Sequence, residues 1–589
     1  MPDAAARVAE PERDTAPAAG ALQQPPVWLV CTLSAAIVLT YFVMLGGFGL
    51  GEPDEGRYAE IPREMIALGD WVTPHLNYVK YFEKPPLLYW ITAISFRLFG
   101  LSEFVARLGP ALFGLLGIGV AYALGRSMYG AWVGCAAAAV LAASPLYFGL
   151  SQVLILDMPL SGLMAVALGS FWFAYTQPRR RRIFIPLLYL ATALAVLTKG
   201  PVAVLLTGGI IALFLLLRGD LGALRWALSP LGICVFLVVA LPWFVLVSLR
   251  NPEFPEYFIV NQHLRRYLTT PEHHEPIWYF VPIVFGGTLP WSGFVLLSPG
   301  VLGRFLQRLM RRRVSAGALY LVVWSAVIFV FFSLSTSKLG TYVLPMFCAL
   351  AVLLARLLEK IVAAGDTQVL RRGYIGVLVL GIAMIPGALI TAQVTDHWRV
   401  PLIVDRMYIG SLILMLAASA ALVLLRRSRL QARRAEASLV ALFLGILALQ
   451  VTAISGREVS WEFRPIGMAI RQQLRPDDLV VGYRQYVQSV PFYTRHRVVM
   501  VLDESQLGPS SVHELAFGSR QGNQRAFFWR TDDELLDAWK SGRRIFLVIN
   551  RTDLDRLRPR MQPPPREIAA YTKKVVVVNF AEPAGTDDR

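Results

Sequence analysis

The chain has 589 residues, 55% of them hydrophobic, a formal net charge of +17 and a mean hydropathy of +0.52. It is too apolar for a soluble protein and long enough for many membrane spans, so it reads as a polytopic α-helical membrane protein. In a soluble chain the positive charge would suggest a nucleic-acid partner. Here it falls in short clusters between apolar runs, where orientation in the bilayer is the simpler cause, and no nucleic acid is expected.

Residues 1–26, "MPDAAARVAEPERDTAPAAGALQQPP", are rich in Ala and Pro, mixed in charge and without the basic start and cleavage site of a signal peptide. A disordered cytoplasmic tail is expected. From 27 to 455, about thirteen stretches approach the length that crosses a bilayer as helix. They centre near Val38, Leu116, Ala138, Ala167, Leu190, Gly209, Phe236, Phe285, Val327, Leu350, Val379, Met415 and Leu444. Basic clusters at 179–182, Arg218 with Arg225, 303–313, 371–372 and 426–434 fall in every second connection, which assigns those connections and the N-terminus to the cytoplasm. The connections 51–107, 149–158, 198–201, 249–278, 335–342, 394–407 and everything after 455 then face the other side, the periplasm of a bacterium. Cys31, Cys135, Cys234 and Cys348 all lie in apolar runs, so no disulfide framework or CxxC metal site is read.

The outward connections carry the chemistry. Asp54, Glu55, Glu83, Lys84, Asp157, Lys199, Arg265, Arg266, Lys338 and all seven histidines lie on that side or at the outer ends of spans. Any one of them also reads as a solvated or snorkelling residue, but several from separate spans converging on one face mark a candidate site. In 51–107, "DEGRYAEIPREMIALGDWVTPHL" spaces Tyr58, Ile61, Met65 and Leu68 as in a helix lying flat on the membrane. Asp54 and Glu55 then sit at its start, where carboxylates are favoured in any case. In "YVKYFEKPPLLYW" two prolines after Glu83 and Lys84 stop a helix and fix an extended corner. Its aromatic residues, Tyr81 among them, suit a membrane interface.

Beyond 455 the composition turns mixed. "LVVGYR", "RVVMVL", "RIFLVIN" and "VVVVNF" read as strands and "DELLDAWKSG" as a helix, giving a small periplasmic α/β domain over 456–589. "DLD" at 553–555 fits an exposed helix start better than a metal-binding carboxylate pair. GxxxxGK[ST], HExxH, GxSxG and CxxC are all missing from the sequence, so ATP hydrolysis, zinc proteolysis and serine esterase chemistry have no motif support.

An Asp-Glu pair with "GRYAE", then "GDW", "FEKPPLLYW", "LDMPL" at 156–160, "LTKGP" at 197–201 and "STSKLGTYVLPM" at 335–346 stand in one order along the membrane region. This set resembles the lipid-linked glycosyltransferases of the GT-C superfamily and is most similar to the 4-amino-4-deoxy-L-arabinose (aminoarabinose) lipid A transferases, the ArnT family. The resemblance implies a GT-C transmembrane catalytic domain over 27–455, with periplasmic loops 51–107 and 249–278. It further implies transfer of a sugar from undecaprenyl phosphate to lipid A phosphate groups at the periplasmic face of the inner membrane. Asp54, Glu55 and Asp157 become the catalytic carboxylates, Asp54 foremost. Arg57, Tyr58, Tyr81, Glu83, Lys84, Lys199, Arg265, Lys338 and Tyr342 become the residues around donor phosphate and substrate.

Cations there would stabilise the charge that grows on the departing phosphate. No cofactor is required by the sequence; Glu83, Asp157 and His263 are the donors a divalent metal would use, and no ligand spacing demands one. The expected partners are the lipid-linked sugar, lipid A and membrane lipid, with the protein a monomer. A protein O-mannosyltransferase would share fold and donor while needing Asp54 as a true general base for a hydroxyl. A lipid or sugar transporter is the alternative of another class, disfavoured by the lack of a clear repeat or a charge cluster at mid-span.

Overall fold

The computed structural model describes residues 22, 24–258, 275–297, 299–311, 314–394, 400–426, 431–455, 463–502, 524–571 and 573–581. Among them nine helices are long and apolar enough to cross a membrane. These are Glu103–Tyr129 (α4), Asp157–Thr176 (α7), Pro178–Lys199, Pro230–Arg250, Ala316–Leu334, Gly340–Ala363, Thr367–Pro386, Tyr408–Leu425 and Arg433–Ile454. The α-helical part of Pro178–Lys199 is Arg181–Lys199 (α8). Ala131–Ala142 (α5) and Pro145–Ser151 (α6) make a tenth crossing if their 65° bend is counted within one span.

The structure therefore gives nine or ten such helices where about thirteen spans are expected. Val27–Phe42 (α1) has 16 residues and Val202–Arg218 (α9) has 17. The stretch around Phe285 is divided into Phe280–Gly287 and Trp291–Leu296. Gly286, Gly287 and Pro290 explain the division, since two flexible residues precede one without an N–H to continue the ladder.

α7 lies at the centre of the bundle. Phe171 and Trp172 pack on Tyr320 with ring centroids 5.8 and 5.5 Å apart. Small residues let it approach α4 closely: a Cβ on Gly162 would stand 2.7 Å from the carbonyl oxygen of Phe113. Pro230–Arg250, by contrast, exposes Leu237, Leu241, Val245 and Leu249, a surface suited to lipid.

The first outward loop is compact. Asp54–Leu68 (α2) ends at Gly69, whose φ of 68° is left-handed. A ribbon pairs His75–Leu76 (β1) antiparallel with Val79–Lys80 (β2), and Leu87–Phe99 (α3) begins directly after Pro86. Tyr58, Ile61 and Met65 are buried as expected, while Leu68 is exposed. α2 is not a surface helix, however, because Glu60, Arg63 and Glu64 on its other side are buried too. The terminal domain covers that side.

That domain carries a six-stranded sheet in the order β5-β4-β3-β6-β8-β7. Its strands are Leu479–Tyr483 (β3), Val498–Val501 (β4), Phe528–Trp529 (β5), Ile545–Asn550 (β6), Arg566–Tyr571 (β7) and Lys574–Val578 (β8). The first four in sheet order are parallel, and β8 and β7 are antiparallel. The four expected strands and the helix Asp532–Lys540 are present; β5 and β7 are additions. Alternate residues serve two cores, as a strand's period of two requires. Val481 and Leu547 pack with Leu535 and Trp539, whereas Val480, Phe546 and Val548 join Tyr58, Ile61 and Met65 of α2. First loop and terminal sheet thus share one hydrophobic core.

Candidate active site

Asp54 opens α2, and its side chain is 51% exposed. Arg57, one turn on, is buried and donates from Nη2 to Asp54 Oδ1 at 2.5 Å. Its Nη1 stands 3.8 Å from Glu83 Oε2, which also accepts from the Tyr81 hydroxyl at 3.1 Å. The guanidinium lies 5.1 Å from the Tyr58 ring centroid and 6.0 Å from that of Tyr81. One cation therefore ties the helix start to the proline-stiffened corner, where Lys84 is half-buried beside Glu83. Tyr58 itself is 5% exposed and packs on Tyr89, so it backs Arg57 from the core.

A second pair forms where two spans meet. Asp157 starts α7, Lys199 ends α8, and Nζ approaches Oδ1 to 2.5 Å. Each charge sits at the helix end that favours it, and Gly200, with φ 83°, stops α8 there. The ammonium is also 4.5 Å from the Tyr342 ring centroid. Both side chains keep some exposure, 17% for Lys199 and 13% for Asp157.

Glu55, next to Asp54, reaches the segment that leads to Asp157. Its carboxylate takes Arg107 Nε and Nη2 at 2.7 and 2.9 Å, the backbone N–H of Leu154 at 2.8 Å and that of Gly51 at 2.9 Å. Arg107 spends its remaining donors on the carbonyls of Leu45, Phe48 and Gly49 at 2.6–2.8 Å, and its guanidinium lies 3.7 Å from the Phe48 ring centroid. Burial works against ionisation of Glu55, but the Arg107 charge and these hydrogen bonds hold its carboxyl below the ordinary carboxylate value. The segment ahead of α2, α4 and the loop leading to Asp157 converge on this one buried ion pair.

Comparison with known proteins bears on what such a site serves. Residues 83–246 match the dolichyl-phosphate-mannose-protein mannosyltransferase family, and residues 466–579 match the aminoarabinose transferase C-terminal domain. An undecaprenyl phosphate-alpha-4-amino-4-deoxy-L-arabinose arabinosyl transferase 2 of Sodalis glossinidius (strain morsitans) is 35% identical over 341 residues, 56% of this chain and 59% of that protein. The corresponding transferase of Edwardsiella ictaluri (strain 93-146) is 33% identical over 377 residues, 62% of this chain and 66% of that protein. These two alignments span less than two thirds of the relatives' own length. The crystal structure of ArnT from Cupriavidus metallidurans bound to undecaprenyl phosphate superposes with a TM-score of 0.83 at 32% identity, covering 95% of this chain and 99% of that one. The chain belongs to the ArnT family of aminoarabinose transferases.

In this ArnT-family chain seven of the sequence-derived candidates fall into two clusters. Asp54, Arg57, Tyr81 and Glu83 form one cluster, and Asp157, Lys199 and Tyr342 another. Lys338 is buried and donates to the carbonyl of Glu275 at 2.8 Å, joining neither cluster through the described contacts. Arg265 and His263 lie outside the described residues. Glu55, expected with Asp54 among the catalytic carboxylates, has both its oxygens occupied by four donors.

Among the described residues no group of three or more His, Cys, Asp or Glu could hold an ion, and His263, the third donor expected for a divalent metal, lies outside them. Glu83 and Asp157 are each engaged by a cationic side chain already. Sequence reasoning missed Arg107 and the buried triad Glu60, Arg63 and Glu64. The available signal for Arg107 was a lone arginine inside the otherwise apolar "FVARLGPALFG". Arg63 donates to both oxygens of Glu60 at 2.7 and 2.5 Å, while burial and then the Glu60 charge push the Glu64 carboxyl well above the carboxylate range.

Proposed function

We propose that this protein transfers 4-amino-4-deoxy-L-arabinose from an undecaprenyl phosphate donor to phosphate groups of lipid A, at the periplasmic face of the bacterial inner membrane. The observation that carries the reading is the likeness to Cupriavidus metallidurans ArnT, over 95% of this chain, in a structure bound to undecaprenyl phosphate. The bond between the sugar's anomeric carbon and the donor phosphate oxygen breaks, the electron pair leaving with undecaprenyl phosphate. An acceptor phosphate oxygen forms the new bond to that carbon. This acceptor is already ionised, so it needs orientation more than a base.

Asp54 is half-exposed and held by Arg57, a fixed negative charge suited to the positive character that develops at the sugar carbon. Lys84 and Lys199, with Arg265 from the loop at 249–278, supply cations for the departing phosphate. Asp157 keeps Lys199 in place and shields its charge until a phosphate competes for it. Glu83, the other carboxylate beside Arg57, can also pair with the ammonium of the transferred sugar.

The match of 83–246 to protein mannosyltransferases keeps a second reading in view, a serine or threonine hydroxyl as acceptor. The match of 466–579 to the aminoarabinose transferase C-terminal domain supports the sugar of the first reading. Purified protein in lipid, offered several undecaprenyl-phosphate sugars with lipid A or peptides and read by mass spectrometry, tests the choice. Aminoarabinose on lipid A is expected; sugar on a peptide hydroxyl and never on lipid A would overturn the proposal.

A further inference from the structure

We infer that the terminal sheet domain is a working part of the active site: the Gln488–Ser489 peptide, docked on the start of α2, holds Asp54 in its reactive position. The inference rests on the reading of Asp54 as the carboxylate at the reacting centre. Its support is a set of contacts within four residues of Asp54 on either side. The carboxylate of Glu52 accepts the backbone N–H groups of Gln488 and Ser489 at 2.9 and 2.7 Å. The N–H of Leu50 donates to the Tyr493 hydroxyl at 2.8 Å. Gly56 lies so close that an added Cβ would stand 2.6 Å from Ser489 N and 2.8 Å from the carbonyl carbon of Gln488.

Three of these contacts are to backbone on the domain's side, at the turn between β3 and the helix Val490–Thr494. Further along the loop the docking is equally specific. Asn77, fully buried, donates from Nδ2 to the Val498 carbonyl at 2.8 Å and accepts the Val498 N–H at 3.0 Å. Phe96 of α3 packs on Phe492 with ring centroids 5.8 Å apart. Asp54 thus lies between a fixed point at Glu52 and a fixed point at Gly56, both set by a domain that begins 400 residues later in the chain. The cations proposed for the departing phosphate, Lys84 and Lys199, sit on other segments, while Arg57 beside Gly56 holds Asp54. A shift of the helix start therefore acts first on the carboxylate.

Gly56→Ala in the full-length protein tests this. Alanine favours a helix interior over glycine, so helix propensity alone predicts no harm. The added methyl forces the Gln488–Ser489 peptide and the helix start apart, and displacement of a reacting group by about 1 Å costs on the order of 100-fold in rate. Measured per folded molecule in detergent or lipid, kcat is expected to fall about 10- to 100-fold with the donor KM unchanged. A parental kcat per folded molecule, whether or not the yield or the thermal midpoint drops, would overturn the inference.

Tyr493→Phe is the second variant, should Gly56→Ala fail to fold. It removes the acceptor of the Leu50 N–H without adding volume and is expected to lower kcat several-fold at constant KM. Unchanged kcat in that variant again counts against positioning. Asp54→Asn run in parallel tells the two readings apart: if it retains turnover, the reading of Asp54 fails; if it is inactive while Gly56→Ala is parental, only the positioning fails.

Discussion

Asp54 and Glu55 are adjacent in sequence yet opposite in circumstance, and the difference can be measured. Asp54→Asn keeps size and shape while removing the charge, so transfer is expected to vanish with the folded yield unchanged; near-normal turnover of the folded variant would strike Asp54 from the catalytic group. Glu55→Gln leaves Arg107 buried with no counter-charge, and breaking a buried pair from one side costs about 3–5 kcal/mol. A large fall in thermal midpoint is expected there, and a parental midpoint would show that the buried Glu55–Arg107 pair does not hold the fold together. Lys84 offers a third contrast. If it neutralises the departing phosphate, Lys84→Ala lowers kcat/KM on the order of 100-fold, kcat included. A variant within a few-fold of the parent would leave Lys84 a membrane anchor. Charges beside apolar runs are costly and stand out, which singled out Asp54, Glu83, Asp157 and Lys199 in the sequence, and the family resemblance added Arg57. Sequence alone could not separate Glu55 from Asp54, since the partner that fills Glu55, Arg107, is 52 positions away.

Among the elements, α2 is the one whose surroundings the sequence could not reveal. Its period of Tyr58, Ile61 and Met65 announces one buried face, but Glu60, Arg63 and Glu64 give no hint that a second face is buried beside the terminal domain. In that sheet the valine-rich β3, β4, β6 and β8 were legible as buried strands. β5, of two residues, and β7, half-exposed at the sheet edge, carry too little pattern to be read. The contact between helix and sheet has a pH dependence centred on Glu52. Burial pushes its carboxyl from 4.5 up to about 7, against the hydrogen bonds from Ser489 and Gln488 and the charge of Lys574. A carboxyl raised in the folded state contributes stability that is fully present below about pH 4.5 and is lost as pH rises through about 7. Lys574 is itself lowered to about 8 by burial, so its contribution changes at higher pH. The difference in thermal midpoint, parent minus Glu52→Gln, is therefore expected to decline from about pH 4.5 to 7 and to level off above it. A difference that stays constant across that window would show that Glu52 does not titrate in the contact.

On the scale of the whole molecule, the shared core of first loop and terminal sheet constrains how the chain threads the membrane. Tyr58, Met65 and Tyr89 pack in one cluster with Val480, Phe492 and Phe546, so the two regions lie on the same side. The number of crossings between them must then be even. The nine long helices all follow residue 102, and nine is odd; with the bent pair α5 and α6 counted as one span the number becomes ten. α9 and the divided stretch Phe280–Gly287 with Trp291–Leu296 must therefore both cross or both stay on one side. The basic clusters favour crossing, because 179–182, Arg218 and 303–313 share the cytoplasm only if the chain returns through each of these short stretches. On such a path the terminal domain is expected in the periplasm, where the donor sugar would have to be lipid-linked. Asp533, whose side chain is 76% exposed on that domain, and exposed Arg179 in the first basic cluster supply the test. Asp533→Cys is expected to react with a membrane-impermeant maleimide in intact spheroplasts, above the background of the four native cysteines. Arg179→Cys is expected to react only after the membrane is opened. The reverse pattern would turn the molecule over and remove the periplasmic site with it; labelling of both positions in intact spheroplasts would break the alternation of basic clusters on which the path depends.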